Sequence, residues 1–255
     1  MEPWRTAIVE ASDGQIRLRG YDITALMTRR TFTDTLFLLH RSELPTPDER
    51  ALLDAILIGV ADHGSGAPSC AAARLAASGN RQSLSAAVAA GLLAVGDEHG
   101  GAGSLCMEMI AAGVARARAE RLSMADIAGR VVAEMRAAGR RVPGLGHRTH
   151  TVDPRTTVLF DLARERKVAG DGIAFLEAVA AALRAQGTAL PINVDGALAA
   201  VLHDLGFPPP FGKLVFLVGR VAGLTAEVAE EYLREKPMRI RIPVAYDGPP
   251  RRDLD

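Results

Sequence analysis

Aromatic side chains are scarce in this 255-residue chain, with one Trp, three Tyr and seven Phe. A core here cannot rest on large rings and must be closed by Ala, Leu and Val. Cysteine is scarcer still: Cys70 and Cys106 lie far apart and fit neither a disulfide framework nor a CxxC metal or redox motif, so a reducing, cytoplasmic setting is expected. Neither sign of charge prevails, since Lys plus Arg and Asp plus Glu each total 30, which makes nucleic acid and anionic membrane poor partners. No apolar run approaches membrane-spanning length, and the first twenty residues lack the apolar core and cleavage site of a signal peptide. β-branched alternation is confined to the first eighteen residues and to "MRIRIPVAY" near the end, so an all-α fold is expected, with strands only at those places. GxSxG and GxxxxGK[ST] are both absent, leaving serine hydrolase and P-loop chemistry without support.

What is plentiful is helical punctuation. "TPDERALLDAILIGV" opens with Thr46 as cap, Pro47 in the first turn and Glu49 to complete a capping box, and its Leu52, Leu53, Ile56, Leu57 and Val60 share one face. The same grammar marks helices from Ser83 to Gly96 and from Ser123 to Gly139. It recurs in "DPRTTVLFDLARE", "GIAFLEAVAAALRAQG", "VDGALAAVLHDLG" and "GKLVFLVGRVAGLTAEVAEEYLRE". Ala and Gly on inner faces let such helices approach closely. No repeat or Pro/Gly/Ser-rich linker divides the chain, so one domain over 1–255 is expected, with a small helical subdomain hinged near 141–195.

Ionisable residues meet glycine-bearing loops at three places. In "GDEHGGAGS", His99 follows a helix stop and heads the next helix, whose N-terminus would favour a neutral imidazole able to donate to a carbonyl oxygen; equally, Gly100 and Gly101 can be a plain turn beside a solvated histidine. In "VPGLGHRTHTVDPR", a stiff loop precedes His147 and Arg155, able to offer backbone N–H groups and a bidentate guanidinium fork, or to act only as a connector and helix start. In "LPINVDGALAAV", Asp195 can be a base or simply the N-cap of a helix beginning at Gly196. His147 and His150 sit three apart, but no Cys, Asp or Glu lies at a ligand-like spacing, so no metal is expected. His40 and His203, in amphipathic helices, read as packed or solvated.

Taken in order, "DHGSGAPSCAAAR", "GDEHGGAG", "VPGLGHRTHTVDPR" and "INVDGALAAVL" resemble the citrate synthase superfamily, over nearly the whole chain from "RGYDI" to "VAYDGP". The resemblance implies a citrate synthase-like multi-helix fold with a large helical core and a small subdomain. It implies carbon–carbon bond formation or cleavage between an acyl-CoA and a 2-oxo acid, with a CoA thioester as substrate and no metal. It maps the catalytic trio onto His99, His147 and Asp195, substrate carboxylate binding onto His63, Arg155 and Arg220, and the CoA contact onto Val142, Pro143, Gly144, Leu145 and Gly146. A C-terminal arginine that reaches across a dimer in the family would here be Arg239 or Arg241, with Lys236 a weaker match because it lacks the guanidinium fork. Only one helix fits between Pro45 and Asp62, where full-length synthases carry a long helical block, so the chain is most similar to the compact citryl-CoA lyases and the C-terminal module of ATP citrate lyase. The Gly-Asp start of "GDEHGGA" agrees with the lyase type, although its histidine matches the synthases.

The function this implies is retro-Claisen cleavage of citryl-CoA to acetyl-CoA and oxaloacetate. A compact citrate or 2-methylcitrate synthase is the alternative, and a non-catalytic CoA- or acid-binding regulator the alternative of another class. Homodimers or higher homo-oligomers, and a separate citryl-CoA synthetase, are the partners the resemblance suggests.

Overall fold

A computed structural model describes residues 2–12, 14–146 and 153–253. Three short antiparallel strands, β1 (Val9–Ser12), β2 (Gln15–Leu18) and β3 (Tyr21–Asp22), lie in the order β1-β2-β3, with Val9 opposite Leu18 and Arg17 opposite Asp22. Eleven helices follow among the described residues: α1 (Ile23–Arg29), α2 (Phe32–Arg41), α3 (Pro47–Val60), α4 (Pro68–Gly79), α5 (Leu84–Leu93), α6 (Ala102–Glu120), α7 (Met124–Ala137), α8 (Pro154–Glu165), α9 (Asp171–Ala185), α10 (Val194–Asp204) and α11 (Phe211–Arg234). Among the described residues no helix is long and apolar enough to cross a membrane.

The capping grammar carries through. Thr46 and Glu49 form the box that starts α3, Ser123 accepts from Asp126 N at the start of α7, and Ser83 caps α5. Two expectations fail for local reasons. "MRIRIPVAY" forms no strand: Ile242, Val244 and Tyr246 stand exposed, Pro243 removes a ladder donor, and no described strand lies alongside. The cap of α10 is Asn193, whose side chain accepts from Gly196 N, so Asp195 lies inside the first turn and is not itself the cap.

α10 is the centre of the molecule. Val194 and every residue from Gly196 to Leu202 are buried, as expected of a helix walled in on all sides by α3, α6, α8, α9 and α11. Leu198, Leu202, Ile110, Phe175 and Leu176 join it in one large core, while a smaller cluster of Cys70, Ala73, Ala77, Ala87, Leu224 and Val228 holds α4, α5 and α11 together. Both depend on missing Cβ atoms. At Gly113 a Cβ would stand 2.0 Å from the Phe175 ring, so α6 and α9 meet only because that position is bare. Asp204 locks the start of α9 by accepting from the N–H groups of Gly170, Gly172 and Ile173.

Replacing Gly113 by Ala is expected to cost about 1–3 kcal/mol by overpacking. Thermal unfolding should show a lower midpoint, whereas Ala at Gly129, inside α7 and with open space for its Cβ, should leave the midpoint unchanged or raise it.

Candidate active site

His99 sits in the tight turn between α5 and α6, closed by Gly96 N to His99 O and Gly101 N to Gly96 O. Gly100, at φ +76°, must be glycine twice over, because a Cβ there would also meet the Phe216 ring at 2.2 Å. The imidazole Nε2 accepts from the backbone N–H of Ser69 at 3.2 Å and lies 2.9 Å from Ser69 Oγ. Because a backbone amide can only donate, Nε2 is unprotonated and the ring proton is on Nδ1. Ser69 lies in the first turn of α4, so the start of α4 also acts on the ring and favours its neutral form.

A buried guanidinium stands behind this pair. Arg220 of α11, only 2% exposed, donates to Val60 O at 2.9 Å and to Ser69 Oγ at 3.0 Å, and covers the Phe216 face. Since Arg220 fills a lone pair of Ser69 Oγ, the hydroxyl hydrogen is directed to His99. The chain Arg220 to Ser69 to His99 therefore fixes the ring's orientation and tautomer. Ser69 went unread in the sequence; its position six residues after His63 in "DHGSGAPS" carries no local signal.

Asp195, the second residue of α10, is set beside these groups by the Asn193 cap. Burial raises its carboxyl above the ordinary aspartate range; Arg155 and Arg220 pull it down, and Asp153 pushes it up. Arg155 opens α8, but its fork is already engaged, Nε and Nη2 going to Asp153 at 3.0 and 2.8 Å and Nη1 to Gly59 O at 3.3 Å. The bidentate grip on a ligand expected from sequence is thus spent on Asp153, leaving Arg155 a charge at the cavity wall. Asp153 was read only as a helix start. It also accepts from Val194 N at 3.1 Å and so joins the starts of α8 and α10.

His63, His99, Arg155, Asp195 and Arg220 all line one cavity of about 420 Å³, with Phe216 and Gly146. His147 lies outside the described residues; Gly146, which precedes it in the chain, is on the wall. Beside it runs a larger groove of about 970 Å³, lined by Val142, Pro143, Gly144, Leu145 and Gly146 and by Arg136, Arg140 and Arg141, with Glu98, Gly146, Asn193 and Asp195 common to both. The three arginines were missed, though "RAAGRR" directly before the loop could have been read as an anion site. Arg136 also binds Gln186 and Thr188, bracing α7 against the end of α9.

Arg239 and Arg241 line neither cavity. Arg239 forks instead onto the fully buried Glu231, which also pairs with Arg74, while Arg241 is exposed. One set of metal-type atoms lies close together among the described residues, Asp62, Cys70 and Glu227 within 4.8 Å, but Cys70 Sγ donates to Asp62 and Glu227 pairs with Arg74.

The fold and cavity define a mainly helical protein of the citrate synthase type, with a groove of about 970 Å³ beside a smaller pocket that Arg155 and Arg220 line. The chain belongs to the citrate synthase family: the family model for the citrate synthase C-terminal domain matches residues 46–241. A citryl-CoA lyase from Hydrogenobacter thermophilus superposes with a TM-score of 0.91 at 39% identity, covering 100% of this chain and 98% of that one. An ATP citrate lyase from Methanosaeta concilii, solved with (3S)-citryl-CoA, shares the fold with a TM-score of 0.79 at 21% identity, over 98% of this chain and 43% of that one. Citrate synthase of Deinococcus radiodurans is 26% identical over 83% of this chain and 55% of its own length, so the chain spans about half of that relative.

The raised carboxyl of Asp195 has a consequence for stability. An aspartate whose folded value exceeds its unfolded one costs stability as pH rises through that interval, and the cost persists above it. Asp195→Asn should therefore unfold at a higher temperature than the native chain at pH 7, and the difference should vanish below the ordinary aspartate value of 3.8. Calorimetry across pH reads this directly, and a destabilised variant at pH 7 would contradict it.

Proposed function

We propose that the protein cleaves citryl-CoA by a retro-Claisen reaction to acetyl-CoA and oxaloacetate. The observation that carries this is the end-to-end match, at 39% identity, to a citryl-CoA lyase of the same compact length. His147 takes the hydroxyl proton of citryl-CoA as the carbon–carbon bond breaks and oxaloacetate's carbonyl forms. The bonding pair passes to the thioester as an enolate, whose oxygen receives a hydrogen bond from Nδ1–H of His99. Asp195, kept protonated more readily by burial, gives its proton to the enolate carbon to make the acetyl group. His63, Arg155 and Arg220 supply positive charge or donors for the carboxylates, and the Val142–Gly146 loop with Arg140 and Arg141 takes the CoA portion, phosphates against the arginines. No step needs a metal.

Condensation uses the same groups in reverse, and the likeness to the Deinococcus radiodurans citrate synthase supports a compact citrate or 2-methylcitrate synthase as the second reading. The non-catalytic regulator has no comparable support. We further propose that the whole chain acts as one domain whose 141–195 part carries the hinged element, that it is cytoplasmic, and that it works as a homodimer or higher homo-oligomer. Arg241 is then the C-terminal arginine that serves a neighbouring copy's substrate, since Arg239 is held by Glu231. A separate synthetase would supply citryl-CoA.

The test is to give the purified protein citryl-CoA and, separately, acetyl-CoA with oxaloacetate, resolving the thioesters, citrate and free CoA by chromatography. Acetyl-CoA and oxaloacetate from the first, without citrate and free CoA, is the expected result; citrate with free CoA from the second mixture identifies a synthase, and CoA binding without turnover in either identifies the regulator. Asp195→Asn should lower kcat by about 10²–10⁴-fold. The pH profiles of the two directions should be mirror images at this group: cleavage consumes the protonated carboxyl and falls as pH rises through its raised value, whereas condensation needs the carboxylate and falls as pH drops through it. Replacing Arg140 and Arg141 together by Ala should raise KM for citryl-CoA about tenfold with kcat little changed, and weaken its dependence on salt.

A further inference from the structure

The loop Gly144–Gly146 is joined to the segment that starts α10 by a continuous ladder. Gly146 N donates to Pro191 O at 2.7 Å, Asn193 N donates to Gly144 O at 3.1 Å, and Leu145 bridges Ile192. One side chain secures both sides of it. Asn193 Oδ1 accepts from Gly196 N at 3.0 Å, capping α10, while Asn193 Nδ2 donates to Gly146 O at 2.8 Å. The amide orientation is dictated by its partners, because Gly196 N can only donate and Gly146 O can only accept. Asn193 also borders both the cationic cavity and the larger groove.

The geometry points to Asn193 as a positioning residue, which clamps the end of the 144–146 loop to the first turn of α10 and thereby fixes the cavity wall at Gly146 relative to Asp195. This rests on the activity proposed above, where Asp195 gives a proton to the enolate carbon. A helix cap alone requires only the side-chain oxygen, and Ser, Asp or Asn would serve almost equally. The second bond, from the amide N–H to Gly146 O, is what Asn alone provides. A displacement of about 1 Å at a reacting group is enough to cost roughly a hundredfold in rate.

Two substitutions separate capping from clamping. Asn193→Ser keeps a cap oxygen for Gly196 N–H but is too short to reach Gly146 O; Asn193→Asp keeps the cap and turns the donor into an oxygen that repels that carbonyl. Both should unfold within a few degrees of the native chain, whereas Asn193→Ala, which loses the cap as well, should unfold lower. With citryl-CoA, the Ser and Asp variants should lose at least tenfold in kcat, more than they gain in KM. Hydrogen exchange should quicken at the amides of Gly146 and Asn193, with the interior of α10 unchanged. Native kcat in Asn193→Ser, a loss confined to KM, or unaltered exchange at those amides would each overturn the inference. Should the native chain turn over neither citryl-CoA nor acetyl-CoA with oxaloacetate, the proposed activity fails on its own, and exchange alone then decides whether Asn193 is the clamp.

Discussion

Where the 144–146 loop crosses the start of α10, two glycines meet backbone against backbone: a Cβ on Gly196 would lie 2.2 Å from Gly144 O, and one on Gly144 would lie 2.7 Å from the Gly196 Cα. Both cavities take their shape from this crossing. It lets a loop with two positive-φ glycines lie flat on a helix end, so that the wall of the groove and the Asp195 carboxyl belong to one rigid unit. α10 itself cannot yield, being buried along almost its whole length, and the loop is therefore the element that must conform. Cys106, beneath the crossing, fits the same picture. Its thiol is fully buried, with burial pushing it far up, so it fills space next to Gly144 and has no nucleophilic character.

The opposite wall obeys a different constraint, the cost of burying charge. Arg220 is tolerated at 2% exposure because Val60 O, Ser69 Oγ and the Phe216 face receive it, and among the described residues no carboxylate forms an ion pair with it. Arg155, by contrast, is largely cancelled by Asp153. The cavity thus keeps one strong positive centre in a dry place and a second, muted one nearer its mouth. Polar groups fixed before any ligand arrives need no reorganisation when charge develops, and the Arg220–Ser69–His99 chain is of that kind.

Much of this was legible in the sequence because it is written in short-range chemistry. Capping residues, helical periodicity and the positions of Gly and Pro mark α3, α5, α7, α8 and α11, and four ordered motifs mark His63, His99, Asp195 and Arg155 as one site, to which the family resemblance adds Arg220 in "LVGRVAG". What failed to show depends on residues distant in the chain. Ser69 matters only because α4 points its first turn at a histidine thirty residues on. Asp153 looks like any helix start until Val194 N is seen to donate to it across forty-one residues. Asn193 and Asp195 are equally good caps by type, and only the crossing with Gly144 decides between them. In the tail, the alternation of Ile240, Ile242, Val244 and Tyr246 promised a strand, but alternation states a preference for a neighbour and cannot supply one within this chain.

In the proposed reaction the two cations have a role beyond attraction. Arg155 and Arg220 are the groups that lower the Asp195 carboxyl against the effect of burial. A bound carboxylate from citryl-CoA or oxaloacetate cancels part of their field, and so shifts Asp195 further toward the protonated state. For cleavage this delivers the acid form when substrate is present; for condensation it makes the ionised form a stronger base toward a weakly acidic methyl group. Binding and proton transfer are coupled through charge alone, and the coupling is the same in both directions. Which direction prevails then depends on whether water reaches the thioester, because hydrolysis of citryl-CoA is the step that separates a synthase from a lyase.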